Sequence, residues 1–488
     1  MVNYLDETNF IATPKSSLAF AIPHALLSEL VIFEQFYLGC LAHASYLIGS
    51  EGYAAVVDPQ RDIGIYLETA QRHNLRIAYI IETHLHADFV SGHQELAQKT
   101  GATICLGAGS GATFPHRAVQ DGDEIAIGRC RLRFMQTPGH TLESVSIIVI
   151  DEDQGKGPAA VLTGDTLFIG DVGRPDLSES HTPQELAGLL YDSLHHKLLS
   201  LPDDVRVYPA HGAGSMCGRN ISADRNSTIG RERLTNYALQ AKDRDQFVRM
   251  VTQDLPPRPE YFQRDVDANR RGAPALENLP PVPPLDAHEV LRRQQEGATV
   301  LDTRAAMYFC AGHVPGSLNI GLGGQFASWA GSILGLDRDL ILVAEDDAAA
   351  EEARLRLARV GIERVAGKLL DGIQGWVGMG WPLSETQQIA AKDLEAEMGR
   401  NPQLVLVDVR RPSEWAQGRI PGAVLRPLDQ LRSGLQSLDP AAPTAVHCKS
   451  GYRSTVACSL LETSGFRQVM NVIGGIDAWT AVGLAIEN

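Results

Sequence analysis

The chain has 488 residues, and at roughly 150 residues per domain this length predicts about three domains. It contains 43 Lys and Arg residues against 59 Asp and Glu residues, a formal net charge of −16. This acidic balance disfavours binding to nucleic acid or to anionic membranes, because phosphate groups are repelled. A hydrophobic fraction of 44% with 21% charged residues excludes a largely disordered chain.

Targeting signals are absent from the sequence pattern. No stretch approaches the roughly 18 uninterrupted apolar residues of a membrane span. The N-terminal extension, residues 1–30, has no basic region ahead of a clean apolar run, so we expect no secretory signal. The seven cysteines form no CxxC pair, which indicates free thiols in a reducing compartment. We therefore expect a cytoplasmic protein.

The first block, residues 31–255, alternates β-branched runs with helical patterns, as α/β domains do. Strands are predicted at 54–57, 77–81, 145–150 and 160–162, and helices at 63–73 and 92–100. The next segment, 256–284, is rich in proline, which interrupts helices and central strands. It is therefore predicted to be a linker, of which residues 258–262 can dock on a domain.

The remainder of the chain contains an internal repeat. Matching positions lie 106, 106 and 103 residues apart, at Asp302 and Asp408, Pro315 and Pro421, and Trp376 and Trp479. A period near 105 residues is that of a whole domain and too long for a solenoid unit. The sequence thus predicts one small domain in two copies, the middle copy at 285–385 and the last copy at 386–488.

Metal-competent side chains follow predicted strands of the first block. They are His84, His86 and Asp88 in the segment THLHADF, His140 in TPGHT, Asp165 in LTGD, and His211 in YPAHG. Open α/β folds bind ligands in the crevice at the carboxyl ends of their strands. One such histidine alone is more often a core residue, but the ordered set predicts a metal centre.

These motifs, in this order, resemble those of the metallo-β-lactamase fold superfamily, which implies an αββα sandwich. Phe89 stands where two-metal members of the superfamily carry a histidine, so a second metal loses a ligand. The block is most similar to the persulfide dioxygenase branch. That resemblance implies a single iron held by His84, His140 and Asp165.

Two imidazoles and one carboxylate match the facial triad of non-haem Fe(II), which leaves positions open for O2 and a sulfur ligand. A closed structural zinc site needs a fourth protein ligand. The expected cofactor is therefore one mononuclear Fe(II) per chain. On this basis His86, Asp88 and His211 orient the ligands or touch substrate.

Two further residues each have two interpretations. Arg174 either holds a substrate carboxylate or braces its loop through Asp176. Cys217 lies in a glycine-rich turn and is either a small apolar filler or a thiol that carries sulfur near the iron pocket. The sequence leaves both choices open.

The last copy resembles a rhodanese domain through its VDVR, EW, GRIPG, HCKSGYRS and GGIDAW motifs. Cys448 follows a predicted strand and precedes a helix, so loop and helix N–H groups face its sulfur, and positive charge from Lys449 and Arg453 adds to them. Four residues separate Cys448 from Arg453, against five in Cys-dependent phosphatases, which favours sulfur over phosphate. The predicted catalytic residues are Cys448 and Arg453, with a persulfide loop of Lys449, Ser450, Gly451, Tyr452 and Ser454.

The middle copy lacks this chemistry. When Gly361 is aligned with Gly465, Ala344 lies opposite Cys448. The loop that follows is acidic, reading EDD, and repels a persulfide anion. We interpret the middle copy as an inactive rhodanese-like domain with a structural or docking role.

Together the blocks resemble bacterial fusions of a persulfide dioxygenase with tandem rhodanese domains. The resemblance implies oxidation of a low-molecular-weight persulfide, such as glutathione persulfide, by O2 to sulfite, coupled to sulfur transfer through Cys448. Net thiosulfate formation in sulfide detoxification and a homo-oligomer are expected. Two alternatives stay open: a glyoxalase II-like zinc thioester hydrolase fused to a sulfurtransferase, and a non-enzymatic sulfur carrier or sensor. The thiol carrier and the direction of sulfur flow stay undetermined.

Overall fold

The computed structural model describes residues 31–487 apart from 154, 156, 179, 254, 256, 336 and 337. The predicted N-terminal extension, residues 1–30, lies outside the described residues. In the described part of the chain the strands form four sheets, two of six strands and two of five. Across the same residues, none of the helices combines the length and the apolar character needed to cross a membrane.

The two six-stranded sheets belong to the first domain. The first sheet has the spatial order β1 (Ile32–Leu38), β2 (His43–Ser50), β3 (Tyr53–Val57), β4 (Arg76–Ile81), β5 (Thr103–Gly107) and β6 (Arg117–Val119). The second contains β7 (Glu124–Ile127), β8 (Cys130–Gln136), β9 (Val145–Asp151), β10 (Ala160–Gly164), β11 (Arg206–Pro209) and β12 (Ser227–Thr228), again adjacent in sequence order. The helices are α1 (Gly64–Arg72), α2 (His93–Thr100), α3 (Pro183–His196), α4 (Ile229–Thr235) and α5 (Arg244–Thr252).

The alternation of side chains along these strands builds the layers. In β9, Val145, Ile147 and Val149 pack in the core between the two sheets, while Ile148 and Ile150 pack on the other face with side chains of α3 and α5. Successive side chains of a strand point to opposite faces, so a continuous apolar run is buried on both sides. Side chains of α1 and α2 cover the outer face of the first sheet. The predicted αββα sandwich is confirmed, as are the strands and helices predicted within it.

The segment 256–284 differs from the linker expected there. It contains helix α6 (Tyr261–Arg271), which buries Tyr261, Phe262, Asp265 and Asn269. Its nearest prolines, at 259 and 274, lie outside the helix. The prolines therefore limit the helix without interrupting it, and the buried residues fall on one face at helical spacing.

The last two sheets are five-stranded and share one topology. The middle copy has the order β13 (Pro284–Leu285), β17 (Val365–Leu369), β16 (Leu340–Val343), β14 (Thr299–Asp302), β15 (Leu318–Asn319), with helices α7 (Ala287–Gln295), α8 (Ala306–Ala311), α9 (Phe326–Leu334), α10 (Asp347–Ala358) and α11 (Gly372–Gly378). The last copy has β18 (Gln387–Ile389), β22 (Val469–Val472), β21 (Thr444–His447), β19 (Val405–Asp408), β20 (Val424–Leu425), with α12 (Ala391–Arg400), α13 (Pro412–Trp415), α14 (Leu431–Gly434), α15 (Tyr452–Thr463) and α16 (Gly475–Ala481). The predicted duplication is confirmed.

The middle copy contacts both of its neighbours. One hydrophobic cluster joins Phe89 of the first domain, Phe326 of the middle copy and Val456 of the last copy. The backbone N–H of Asn319 in β15 donates to Ser459 Oγ of α15 at 3.0 Å. The two chemically distinct regions are therefore connected through the middle copy.

Candidate metal centre and sulfurtransferase loop

The predicted metal-binding residues come together as the strand-end argument requires. His84 follows β4, His140 follows β8, Asp165 follows β10 and His211 follows β11. All four side chains are buried. The two sheets face each other, so the carboxyl ends of these strands meet at one edge of the sandwich.

His84, His140 and Asp165 form one buried donor set, whose ligand atoms all lie within 4.8 Å of one another. Asp165 Oδ2 lies 3.8 Å from His84 Nε2 and 3.4 Å from His140 Nε2. Within the described residues, Oδ2 of Asp165 and Nε2 of His140 are buried without a hydrogen-bond partner. Such atoms are costly to bury, so this convergence fits a bound metal ion.

The hydrogen bonds around both histidines fix their tautomers. Thr83 Oγ1 donates to Asp58 Oδ2 at 2.9 Å, so it accepts from Nδ1 of His84 at 3.0 Å. Nδ1 of His140 donates to the carbonyl oxygen of Arg174 at 3.0 Å. Each ring therefore presents the lone pair of Nε2 to the centre. Burial lowers the pKa of both histidines, which keeps them neutral as metal ligation requires.

His211 is held differently. Its Nδ1 lies 2.8 Å from Asp165 Oδ1 and its Nε2 lies 2.9 Å from Asp88 Oδ2. Burial opposes protonation, but these carboxylates raise the pKa of His211 well above its usual value. A protonated ring has no lone pair for a metal, so His211 orients Asp165 in this arrangement. Asp88 and His211 also lie close to the Cys217 thiol, in a second buried group whose ligand atoms are all within 4.8 Å of one another.

His86 points into a third buried group, away from the donor set. Its Nε2 lies 3.2 Å from Asp58 Oδ1 and 3.2 Å from Glu82 Oε2. Burial opposes protonation of the His86 ring, but the two carboxylates raise the pKa of His86 to about 10. His86 therefore neutralises Asp58, and Asp58 in turn holds Thr83 and so His84.

Phe89, where the resemblance places the histidine of two-metal members, has an apolar ring that offers no ligand atom. The ring is fully buried and packs 4.2 Å from the His43 ring and 4.4 Å from the His86 ring, measured between centroids. Sequence reasoning missed His43, whose two ring nitrogens have no hydrogen-bond partner in the described part of the chain. A single histidine in an apolar strand carries little sequence signal.

For Arg174 the structure shows the loop-bracing contact. Its guanidinium binds both carboxylate oxygens of Asp176, at 2.7 and 2.8 Å, and its Nη1 donates to the carbonyl oxygen of Met216 at 3.2 Å. Its backbone N–H donates to the carbonyl oxygen of Cys217 at 3.0 Å. Arg174 thus joins the loop over His140 to the turn that carries Cys217. Burial raises the pKa of the Cys217 thiol well above its usual value, and Asp88 adds to this, so the thiol is protonated.

Gly173 allows this loop to approach the centre. A Cβ atom at this position would lie 1.9 Å from the carbonyl oxygen of Asp165 and 2.9 Å from Nδ1 of His140. A residue with a side chain at position 173 would therefore clash with both groups. The loop therefore closes directly over two of the three donors.

Sequence reasoning also missed three residues that support the site. Asp58 follows β3, so the strand-end rule used for the histidines was able to find it. Thr83 precedes His84 and gave no separate signal. Asn269 lies in α6, inside the predicted linker, and donates to the carbonyl oxygens of His86 and Phe89 at 2.8 Å each.

A cavity of about 240 Å³ opens beside the donor set. Its lining includes Leu85 and Thr141, the chain neighbours of His84 and His140. Val266 and Arg270 of α6 line it as well. The helix in the predicted linker thus contributes part of the wall beside the metal centre.

In the last copy Cys448 directly follows β21 and is buried. Its Sγ accepts the backbone N–H of Gly451 at 3.1 Å and lies 3.6 Å from Ser454 Oγ. Ser454 Oγ also donates to Asn471 Oδ1 at 2.6 Å. Lys449 and Ser450 are exposed. The loop therefore presents the backbone donor that the sequence predicted for a sulfur anion.

Arg453 was expected to direct its charge at the sulfur, and the structure places its guanidinium on Glu414. The two amino groups donate to the carboxylate at 2.6 and 2.8 Å. Burial works against ionisation of Glu414, but Arg453 lowers the pKa of Glu414 to about 2. Tyr452 reaches the middle copy, where its hydroxyl donates to the carbonyl oxygen of Gly321 at 2.8 Å.

The corresponding loop of the middle copy follows β16 with Ala344. There the carboxylate of Asp346 accepts the backbone N–H of Ala349 at 2.8 Å. The protein's own carboxylate thus takes an N–H group at the start of α10. This loop has neither a thiol nor free space for an anion at that N–H group.

Comparisons with known proteins agree with this architecture. A family model for the metallo-beta-lactamase superfamily matches residues 38–211, and one for the rhodanese-like domain matches residues 286–379 and 390–482. The chain belongs to the metallo-beta-lactamase superfamily and carries two rhodanese-like domains behind that region.

Relatives with a named activity indicate the class of enzyme more narrowly than the family models do. The chain is 32% identical to the persulfide dioxygenase ETHE1 of Bos taurus, over 46% of this chain and 83% of the relative, and equally to that of Homo sapiens. It is 30% identical to a hydroxyacylglutathione hydrolase of Brucella anthropi, over 48% of this chain and 90% of the relative. The crystal structure of a metallo-beta-lactamase from Staphylococcus aureus superposes with a TM-score of 0.63 at 31% identity, covering 70% of this chain and 99% of that one. Persulfide dioxygenases are therefore among the homologues of the first domain.

Proposed function

We propose that the chain is an iron-dependent persulfide dioxygenase coupled to a sulfurtransferase. Its first domain oxidises a low-molecular-weight persulfide, such as glutathione persulfide, and Cys448 of the last copy transfers sulfane sulfur. The observation that most directly supports this proposal is the donor set of His84, His140 and Asp165, with Phe89 in the place of a further ligand. The similarity to persulfide dioxygenases supports the same reading.

His84, His140 and Asp165 would hold one Fe(II). Three ligands on one side leave the other side open, and the iron when bound supplies the redox chemistry that activates O2. In the net reaction a persulfide, O2 and water give sulfite, the free thiol and protons. No nucleophile of the protein is needed for this reaction.

The surrounding residues prepare the centre. Thr83 and the carbonyl oxygen of Arg174 keep both imidazoles in the ligating tautomer. Protonated His211 holds Asp165 in its orientation. The cavity lined by Arg270 receives the thiol carrier, and the Arg270 guanidinium, 2.7 Å from Asp267, lies at its wall.

The second reaction takes place at Cys448. Its thiolate attacks a sulfane sulfur, the sulfur–sulfur bond of the donor breaks, and the leaving group departs with the electron pair. When sulfite then attacks the Cys448 persulfide, thiosulfate forms and the thiolate returns. The N–H of Gly451 stabilises the negative sulfur throughout. Because both reactions share sulfite, their fusion raises its effective concentration.

The deciding experiment combines metal analysis with oxygen uptake. Anaerobically purified protein is expected to contain about one iron per chain and to consume O2 when glutathione persulfide is added, with sulfite released. His84→Ala is expected to abolish uptake while the thiosulfate–cyanide sulfurtransferase activity of Cys448 persists. Protein with iron bound but no persulfide-dependent uptake would refute the dioxygenase.

A zinc thioester hydrolase is the second candidate, because hydroxyacylglutathione hydrolases are also relatives. The buried group of Asp88, His211 and Cys217 offers the donors of a second metal. Two zinc ions per chain, cleavage of a glutathione thioester and no O2 uptake would establish it. The Nδ1 of His211 is hydrogen-bonded to Asp165 and its Nε2 lies 2.9 Å from Asp88 Oδ2, and this position between two carboxylates supports the mononuclear alternative.

The proposal extends to a cytoplasmic homo-oligomer that forms thiosulfate in sulfide detoxification. Analytical ultracentrifugation tests the oligomer. Thiosulfate formation from glutathione persulfide by the wild-type chain, with sulfite accumulating in Cys448→Ser, tests the direction of sulfur flow. Cyanide-dependent turnover of thiosulfate by the wild-type chain excludes a purely non-enzymatic carrier.

A further inference from the structure

The loop that carries the first metal motif, residues 84–91, is anchored by helix α6 of the segment 256–284. Asn269 of α6 is buried and donates to the carbonyl oxygens of His86 and Phe89, at 2.8 Å each. Its Oδ1 accepts the backbone N–H of Ser91 at 2.8 Å. One side chain thus satisfies three backbone groups of the loop, from a position more than 175 residues away.

The middle copy holds the same loop at a second point. The carbonyl oxygen of Arg359, directly after α10, accepts the backbone N–H of Val90 at 2.7 Å. The Arg359 guanidinium binds both carboxylate oxygens of Asp62 at 2.8 Å. Nearby, Arg61 donates to Glu363 of the middle copy at 2.9 Å. The middle copy is therefore joined to the first domain through polar contacts that are buried or partly buried.

Helix α6 packs between the first domain and the middle copy. A Cβ atom on Gly331 of α9 would lie 2.9 Å from the Tyr261 ring. A Cβ atom on Gly361 would lie 2.7 Å from Asp265 Oδ1. A side chain at either glycine would collide with α6, so the helix and the middle copy are closely packed at these two points.

We propose that α6 and the middle rhodanese-like copy form a clamp that positions the metal-motif loop, with Asn269 as the positioning residue. The inactive copy then has a defined task, which is to support the metal centre of the neighbouring domain. Loss of the Asn269 bonds releases the backbone on both sides of Asp88 and displaces His84 from the donor set. Residues that orient metal ligands typically contribute about 10- to 100-fold to metal affinity.

The test measures metal affinity of the full chain without any reaction. Metal-free protein is titrated with Co(II), and binding is followed by its visible absorption bands. Asn269→Ala is expected to bind Co(II) about 10- to 100-fold more weakly than the wild type. The matched control is Asn319→Ala, which also removes a buried amide that donates to two carbonyl oxygens, at 3.0 Å each, but within the middle copy. We expect the control to bind within about threefold of the wild type, with a comparable fall in Tm.

A second pair of variants tests the middle copy itself. Gly331→Ala forces α9 away from Tyr261, while Gly378→Ala adds a methyl group where no atom lies within 4 Å. We expect weaker Co(II) binding only for Gly331→Ala. Unchanged affinity in Asn269→Ala, or equal losses in Asn269→Ala and Asn319→Ala, would overturn the clamp. Because Co(II) binding is independent of the reaction catalysed, the outcome does not depend on whether the chain is a dioxygenase.

Discussion

The two rhodanese-like copies share a scaffold and differ in one loop. In the middle copy Arg304 binds Asp302 and donates to the carbonyl oxygen of Gly312 at 2.8 Å. In the last copy Arg410 binds Asp408 and donates to the carbonyl oxygen of Gly418 at the same distance. These buried ion pairs satisfy the same backbone group in both copies. The scaffold therefore depends on interactions outside the sulfur-binding loop.

The difference lies in what accepts the N–H groups at the loop. In the last copy the acceptor of the Gly451 N–H is the Cys448 sulfur. In the middle copy the Asp346 carboxylate accepts the Ala349 N–H. The Asp346 carboxylate caps helix α10 in the middle copy, at an N–H group that does not correspond to that of Gly451. The two copies therefore keep one fold, although only the last copy has a thiol at this loop.

The largest expected effect comes from removing the thiol. Cys448→Ser should lower thiosulfate–cyanide sulfurtransferase activity by about three orders of magnitude, because the hydroxyl is a far weaker nucleophile. The assay is the rate of thiocyanate formation. Cys458→Ala, in the helix α15 that follows the loop, should retain activity, since this buried cysteine lies in the core. Residual activity near that of the wild type in Cys448→Ser would show that the middle copy or another thiol carries sulfur.

A matched glycine pair separates activity from stability. Gly475 has φ +56°, and a Cβ atom at this position would lie 2.3 Å from the Cys448 carbonyl oxygen. Its counterpart Gly372 has φ +54°, and a Cβ atom there would lie 2.7 Å from the Ala344 carbonyl oxygen. An alanine at either site adopts a strained conformation costing about 1–3 kcal/mol. Gly475→Ala should also lower sulfurtransferase activity roughly 10- to 100-fold because it shifts Cys448.

Thermal unfolding and thiocyanate formation, measured on both variants, check this prediction. Gly372→Ala should lower the stability of the protein but leave its sulfurtransferase activity unchanged, because no catalytic group lies next to Gly372. If both variants lose activity equally, the middle loop takes part in sulfur transfer and the two copies are not functionally distinct.

The sequence predicted the parts of this molecule that depend on local pattern. Strands such as β9 were found because a short apolar run is typical of a strand buried on both faces, and the duplication was found from fixed spacing between motifs. The metal-competent residues were found because they follow strands, and the resemblance to the persulfide dioxygenase branch then selected His84, His140 and Asp165 among them. Their proximity then followed from the fold.

What the sequence did not predict depends on contacts between distant segments. Asn269 was missed because its role is defined by backbone carbonyls of residues 86 and 89, which no local pattern links to a helix between prolines. The partner of Arg453 was missed for the same reason, since Glu414 lies 39 residues earlier in the chain. Electrostatics of neighbouring residues suggested the sulfur as the target of its charge, and tertiary packing adds an ion pair with a carboxylate.

The Glu414–Arg453 pair predicts a difference in acid stability. Because the pKa of Glu414 is lowered to about 2, its ionised form stabilises the fold above the ordinary glutamate pKa, and this contribution is lost as the pH falls toward 2. Glu414→Gln should be less stable near pH 6 by about 1–2 kcal/mol and should converge with the wild type in acid. The measurement is Tm between pH 6 and pH 2.

The middle copy supplies the contrast, because Tyr308 stands at the position of Glu414 when Asp302 is aligned with Asp408. As a control, Glu289→Gln in α7 removes a partly exposed carboxylate whose pKa is also lowered to about 2 by Arg292 and Arg293; solvent screens these ion pairs, so its acid profile should depart from that of the wild type by less than that of Glu414→Gln. A constant difference in Tm between Glu414→Gln and the wild type over the whole range would show that the ion pair does not supply the acid-sensitive stability.

The smallest expected effect concerns the contact between the copies. Tyr452→Phe removes the hydrogen bond to the Gly321 carbonyl oxygen and should lower the free energy of unfolding by about 1 kcal/mol. Tyr308→Phe, at an exposed tyrosine of the middle copy, should change it by less than about 0.5 kcal/mol. Urea unfolding followed by circular dichroism measures both. Because Tyr452 contacts the middle copy through its hydroxyl while the Gly451 N–H binds the sulfur, sulfurtransferase activity should stay within about twofold of the wild type. A large loss of activity in Tyr452→Phe would mean that the middle copy also positions the sulfur-binding loop of the last copy. The middle copy would then support both the metal centre and the sulfurtransferase loop.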